Sequence, residues 1–338
     1  MKRIIRRGLK IIGTSLVVLF VAFAIWFMSG EGVQNPGKIT WGVTFFPKQA
    51  EDLGVDWREA YIALLDDMGV KHLRLAAPWS VVESRMHVYD FSDIDWMIQE
   101  ADKRGADVIL AVGRKLFRWP ECHDPVWAMG IEGDEFENEV LAFLEESINH
   151  FKQYKNIKTW QVENEPLFPF GECQEPKPNK ELFVKEVELV RSLDSRPIMS
   201  TDSGELGSWL AFSAHVDQLG VSLYRVTDNP VFGRFYYPLR PGFYQKKARL
   251  ASLLKKKLQK IFVSELQLEP WAIAPLPEIT LREQFKSMSF SRMQSTVEYA
   301  KKTGFGDIYL WGSEWWYWLA KEQGDSRFWN LGKELMRE

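Results

Sequence analysis

The chain has 338 residues, 46% apolar and 26% charged, with 43 basic residues against 46 acidic ones. That balance excludes an intrinsically disordered chain, and a net charge of −3 excludes a protein built around a nucleic-acid-binding face. The length suits one α/β barrel with inserted loops, and fifteen tryptophans are a large stock of flat amphipathic rings for a core or a sugar cleft.

The N-terminus stands apart. Lys2, Arg3, Arg6, Arg7 and Lys10 precede residues 11–28, which carry no charge. Eighteen such residues are about the minimum that crosses a bilayer. The run ends Trp26-Phe27-Met28-Ser29-Gly30 with no Ala-x-Ala pattern, so a transmembrane signal-anchor is expected rather than a secretory signal removed by cleavage. The positive-inside rule then puts the basic tail, residues 1–10, in the cytoplasm and everything after Met28 outside the cell membrane. Residues 29–37 read as a short polar linker and 38–338 as one catalytic domain; the part after Met28 carries 46 acidic residues against 38 basic.

From Ile39 the chain alternates strands with helices. The expected strands are 39–45, 71–76, 107–112, 157–162, 196–200, 218–223, 260–264 and 307–311. Helical stripes fill the gaps: Tyr61, Leu64, Leu65 and Met68; then Phe136, Val140, Phe143, Leu144 and Phe151, opened by Asp134 and Glu137; then Leu250, Leu253, Leu254 and Leu258. Thr280 and Glu283 read as a capping box. Eight strand–helix units imply a parallel sheet, and their number fits a closed (β/α)8 TIM barrel. An open doubly wound sheet is the alternative, weakened because no Gly-x-Gly-x-x-Gly follows the first strand. Long inserts follow the third, fourth, sixth and seventh strands, at 114–133, 167–178, 225–242 and 269–277. In a barrel they share the carboxyl face, where active sites form.

Two of these strands end in carboxylates. Ile157–Val162 runs into Glu163-Asn164-Glu165-Pro166, and Lys260–Ser264 into Glu265. Proline stops the strand and biases Glu165 towards an extended backbone. Two carboxyl groups held about 5–5.5 Å apart can hydrolyse a glycosidic bond with retention. Glu165 is the expected acid/base and Glu265 the expected nucleophile. Glu163, opposite Asn164 on an extended chain, reads as structural.

At these residues the chain resembles clan A of the glycoside hydrolases, closest to its cellulase-like barrels, from Lys38 to about Asn330. Asn164-Glu165-Pro166 is similar to the clan's acid/base motif and Glu265 to its nucleophile. The resemblance implies that Arg74 sits by the nucleophile and that Tyr224 hydrogen-bonds it. It implies that Asn164 binds the sugar's 2-hydroxyl and that Trp311 lies under the sugar, with a cis peptide at Trp311–Gly312. No cofactor is implied, since the two carboxylates suffice, and the five histidines show no metal-ligand spacing. Two histidines common in the cellulase-like members are replaced here, one by Ser222 and one by Gly113-Arg114-Lys115, which puts a cellulase or mannanase assignment in doubt. Arg114 and Lys115 either reach an anionic group on the substrate or pair with Glu121, Glu172 or Glu175.

Trp79, Trp119, Trp127, Trp271, Trp315 and Trp316 all follow strands. Each could line a sugar subsite or the core, with Trp79 and Trp271 the expected substrate contacts, together with His123. The expected function is hydrolysis of β-linked glycosides or polysaccharides by double displacement. The alternatives are transglycosylation at the same site, or a non-catalytic membrane-tethered carbohydrate-binding barrel. The expected partners are an oligo- or polysaccharide and, through the N-terminal helix, the membrane. Cys122 and Cys173 lie in the inserts after strands three and four, which neighbour each other in a barrel. They are expected to form a disulfide outside the reducing cytoplasm.

Overall fold

The computed structural model describes residues 2–175, 177–211, 213–229, 233–255, 257–272 and 274–338, and in the first helix the side chains of 14–19 and 21–28. That helix spans Lys2–Met28. Among the described residues no helix is long and apolar enough to cross a membrane. The expected anchor, 11–28, includes residues 11–13 and 20, whose side chains lie outside the described set.

Residues 29–33 are laid on the barrel. Gly242 N–H donates to Gly30 O across 2.9 Å and Val33 N–H to Lys302 O across 2.9 Å. Phe27 meets Phe243 edge-on at 5.5 Å.

The strands are β1 (Thr40–Thr44), β2 (His72–Pro78), β3 (Asp107–Gly113), β4 (Ile157–Val162), β5 (Ile198–Asp202) and β6 (Gln218–Leu223). A hairpin follows, β7 (Val226–Asn229) and β8 (Gly233–Tyr236), then β9 (Lys260–Gln267) and β10 (Asp307–Trp311). All but the hairpin form one closed barrel, in the order β1-β2-β3-β4-β5-β6-β9-β10. Every pair in it is parallel.

The barrel arises because these strands are apolar on both faces, as a sheet covered by helices requires. In β2, Leu73, Leu75 and Ala77 join the large core between barrel and helices. Arg74 alternates with them and so points to the inside. A separate cluster of Ile109, Met199, Phe262 and Tyr309, from four strands, packs together. The β7–β8 hairpin lies in the insert after β6, where no strand is expected from sequence.

The helices follow the expected stripes with three departures. Tyr61, Leu64, Leu65 and Met68 are all buried, but the helix Trp57–Ala63 widens into a π turn at Leu64–Met68. The helix Gly133–Phe151 buries its stripe, yet neither Asp134 nor Glu137 caps it; the N-cap is Glu132, without a side-chain bond. In the helix Pro241–Leu254 the buried face is Phe243, Tyr244, Lys247 and Ala251. Leu250, Leu253 and Leu254 are therefore exposed, and Leu258 is buried beyond the helix end. Thr280 caps its helix, accepting from Glu283 N–H.

Candidate active site

The carboxyl ends of the strands bring Arg74, Asn164, Glu165, Tyr224 and Glu265 into one polar centre. Glu265 lies within β9, which runs on to Gln267, and pairs in register with Ser222 of β6. Arg74 Nη1 donates to Glu265 Oε1 at 2.8 Å, both side chains being buried. Tyr224 Oη donates to Glu265 Oε2 at 3.1 Å. A carboxylate with each oxygen occupied by a donor is held in one orientation by its partners.

Glu165 is built differently. It is not extended: its φ is +46°, in the left-handed region. Its N–H donates to Thr201 Oγ1 at 2.8 Å, and its carbonyl accepts from Phe168 N–H at 2.9 Å, so a turn replaces the strand. Ser222 Oγ accepts from Gly204 N–H and therefore turns its own hydrogen to Glu165 Oε1, 3.2 Å away. No cation pairs with the Glu165 carboxyl among the described residues. Burial, then the charges of Glu265 and Glu121, push its pKa well above the usual carboxylate range.

Asn164 is fixed by its oxygen. Oδ1 accepts from Arg74 Nη2 at 2.8 Å, Thr201 Oγ1 at 2.8 Å and Gln161 Nε2 at 3.3 Å. The same Arg74 holds Gln161 through Nε at 2.7 Å. One guanidinium thus ties β2 to both carboxylate-bearing strands.

Glu163 is structural as expected. It accepts from the backbone N–H groups of Arg114 at 2.8 Å and Lys115 at 2.6 Å. A Cβ at residue 113 would lie 2.2 Å from Glu163 Oε1, so Gly113 is needed for that approach. Arg114 and Lys115 do not pair as expected. Arg114 forks onto Asp124, with Nη2 at 2.6 Å, while Lys115 Nζ donates to the carbonyls of Glu165 at 2.8 Å and Phe168 at 2.7 Å. Both are buried supports of the site walls.

The aromatic residues sort by burial. Trp79 is no cleft wall: it is fully buried, donates to Glu83 Oε2 at 2.8 Å and packs on Trp127 and Phe143, because a helical turn follows β2 at once. Trp315 and Trp316 are core residues as well. Trp271 is half-buried and meets Tyr224 edge-on at 5.3 Å, while Trp119 is exposed beside Phe170. His123 is buried against Phe46, and burial pushes its pKa down to about 4. Trp311 donates to Glu269 Oε1 at 2.7 Å, and the guanidinium of Arg118 lies 4.0 Å from its ring centre. Its peptide to Gly312 is not cis; among the described residues the one cis bond is Trp119–Pro120. Gly312 instead adopts φ +124°, turning the chain without it.

Cys122 and Cys173 are disulfide-bonded, with Cα atoms 5.0 Å apart. The insert after β3 doubles back as a bridge between Lys115 and Cys122, and Glu172 N–H donates to Pro120 O at 2.9 Å. This fold-back brings Glu121, which sequence reasoning did not single out as a site residue, into the centre. Its carboxylate lies 3.5 Å from Asn164 Nδ2. Burial pushes its pKa up to about 8 against the pull of Lys115. Thr201 was missed too; a lone threonine at a strand end carries no signal.

No protein-family model and no curated protein matches the sequence. Solved structures do match in fold. GH5_18 from Bifidobacterium longum subsp. longum, in complex with Manb1-4GlcNAc, superposes with a TM-score of 0.57 at 11% identity over 81% of this chain and 68% of its own. Native xylanase 10B from Thermotoga maritima gives 0.57 at 14% identity, covering 81% and 83%. A polyextremophilic beta-galactosidase from the Antarctic haloarchaeon Halorubrum lacusprofundi gives 0.56 at 14%, covering 80% and 52%. The chain has the (β/α)8 fold of these glycoside hydrolases.

Proposed function

We propose that the protein is a retaining glycoside hydrolase of the clan A type, acting on β-linked glycosides or polysaccharides. The observation that carries this is the contrast between two carboxyl groups in one centre. Glu265 is paired with Arg74, whereas Glu165 has no cation among the described residues and its pKa is pushed well above the usual carboxylate range. That contrast is the division of labour that double displacement needs. Glu265 attacks the anomeric carbon and the glycosidic C–O bond breaks. Glu165 gives its proton to the departing oxygen. Glu165 then takes a proton from water, whose oxygen displaces Glu265 and frees the sugar. Trp271 beside Tyr224 is the aromatic wall for the sugar. The solved glycoside hydrolases of the same fold support the reading.

The test is trapping with 2-deoxy-2-fluoro aryl β-glycosides in the gluco, galacto, manno and xylo series. A glycosyl ester on Glu265, seen by peptide mass, is the expected result, with retained anomeric configuration in the turnover product. Label on another residue, or an inverted product, sinks the mechanism.

The anchor belongs to the same proposal and rests on the sequence: the uncharged run 11–28 behind five basic residues. The disulfide supports an extracytoplasmic barrel, since such bonds persist outside the reducing cytoplasm. Release of the full chain from membranes by alkaline carbonate would count against it.

A further inference from the structure

The end of the first helix meets the helix Pro241–Leu254. Phe27 packs on Phe243, and Lys246 Nζ lies 4.4 Å from the ring centre of Trp26 and donates to the carbonyl of Ser29. Leu16, Leu19 and Phe23 stand exposed, so the first helix runs off the barrel before this junction. Phe243 and Lys246 share one face of their helix. Helical spacing carries that face on to Leu250, Leu253 and Leu254. Those three are 42%, 75% and 58% exposed. The barrel has taken the other side of the helix, with Tyr244, Lys247 and Ala251.

The charge around this stripe is one-sided. Residues 241–260 hold seven basic residues and no acidic one, in a part of the chain with 46 acidic residues against 38 basic. Arg249 and Lys257 are exposed, and neither they nor Lys255 makes an ion pair of 4 Å or less among the described residues. Bare leucines beside unpaired cations are the two halves of a helix that lies in a membrane surface. The apolar side chains enter the headgroup–acyl boundary, and the cations meet phosphates. Other occupants fit worse. A second copy docked face to face would set the basic rows against each other. A soluble anionic polymer would leave the leucines in water. The depth agrees as well. A tryptophan that closes an uncharged run belongs at headgroup level, and Lys246 sits on that ring. Leu250 and Leu253 follow Lys246 by roughly 6 and 10 Å along the helix.

We infer that the outward face of the helix Pro241–Leu254 rests in the surface of the bilayer that the first helix enters. Leu250, Leu253 and Leu254 lie in the headgroup–acyl boundary, and Arg249, Lys255 and Lys257 lie against anionic phospholipid headgroups. This helix runs along the wall of the barrel, so the barrel lies on its flank and the cleft opens along the membrane rather than away from it. The inference rests on the membrane-anchor reading above.

The experiment uses the full chain in vesicles of phosphatidylcholine and phosphatidylglycerol. The two native cysteines are bonded to each other, so an introduced cysteine is the one free thiol. Leu253→Cys, Val21→Cys and Val126→Cys are each labelled with an environment-sensitive fluorophore and exposed to doxyl-labelled lipid. Val21 lies in the uncharged run; Val126, 77% exposed, lies in the insert after β3, across the barrel. The label of Leu253→Cys is expected to emit at shorter wavelength than that of Val126→Cys. It is also expected to lose about half its intensity to the doxyl lipid, as a group buried 5–10 Å into the boundary does. Arg249→Glu, Lys255→Glu and Lys257→Glu together are expected to cut that quenching about twofold or more, and unchanged quenching overturns the contact with anionic headgroups. An unquenched Leu253→Cys label beside a quenched Val21→Cys label overturns the inference and leaves the anchor standing. A Leu253→Cys label that is shifted to shorter wavelength but untouched by the lipid quencher points to a second copy and overturns it too. An unquenched Val21→Cys label overturns the anchor reading, and the inference with it.

Discussion

Arg74 Nη1 lies 2.8 Å from Glu265 Oε1, and the two form a buried ion pair at the heart of the barrel. Burying such a pair is favourable only because the guanidinium's other nitrogens are also used, on Gln161 and Asn164. Arg74→Lys keeps the charge but loses the fork. We expect kcat to fall about 10- to 100-fold, with the fold retained by circular dichroism. Unchanged kcat would remove Arg74 from the machinery.

Glu265→Ala should abolish turnover of ordinary substrates, because the covalent step loses its nucleophile. Azide or formate should restore part of it, with inverted product seen by proton NMR. Near-native turnover in this variant would place the nucleophile elsewhere.

Activity should fall as pH rises through the raised pKa of Glu165, since the protonated form is the acid. The basic limb of kcat/KM reports this group in the free enzyme. Ser222→Ala leaves that carboxyl without its hydroxyl donor, so the limb should move to higher pH. A shift to lower pH would contradict the direction of that hydrogen bond.

Glu205 makes stability depend on pH. It accepts from Tyr224 N–H and Tyr244 Oη, yet burial pushes its pKa up to about 7. The folded state therefore keeps a proton that the unfolded chain loses near the ordinary value of 4.5. Stability from this group is full below that value and is lost as pH rises towards about 7. Chemical denaturation at pH 5 and pH 8 should show a smaller drop for Glu205→Gln than for wild type.

Reduction of Cys122–Cys173 should lower activity at temperatures where the barrel remains folded, because the bond ties two inserts and no strand. Parallel activity and circular dichroism melts, with and without reductant, check this. Coincident loss of both signals would make the bond a support of the whole fold.

The barrel was legible because strands buried on both faces must be apolar runs, and each reads out as one. Glu165 and Glu265 were expected to meet because each follows an apolar strand run, although β9 continues past Glu265 to Gln267. What escaped depends on things a periodicity does not carry. The stripe Leu250, Leu253 and Leu254 has helical spacing, but the packed face runs through Phe243, Tyr244, Lys247 and Ala251, and spacing does not say which face meets the barrel. Trp79 follows a strand, as a cleft residue would, yet the helical turn after β2 sends its ring into the core. Glu121 was the largest omission. Its place is set by a left-handed backbone, a cross-link one residue on, and a glycine in another insert, none of which leaves a pattern in the residues around it.

The segment after the first helix is tied down over residues 28–33. Met28, Gly30 and Val33 all hydrogen-bond to barrel residues, and Lys246 holds the carbonyl of Ser29 at 2.7 Å. A leash of nine loose residues would let a domain sweep a volume around its attachment point. Here the geometry is that of a bracket. Under the proposed function, whatever grips the first helix would also set the height and bearing of the cleft, and a polysaccharide would have to be presented at that level. Lengthening this segment with a Gly-Ser spacer would change the set of chains within reach without touching a single residue of the active centre.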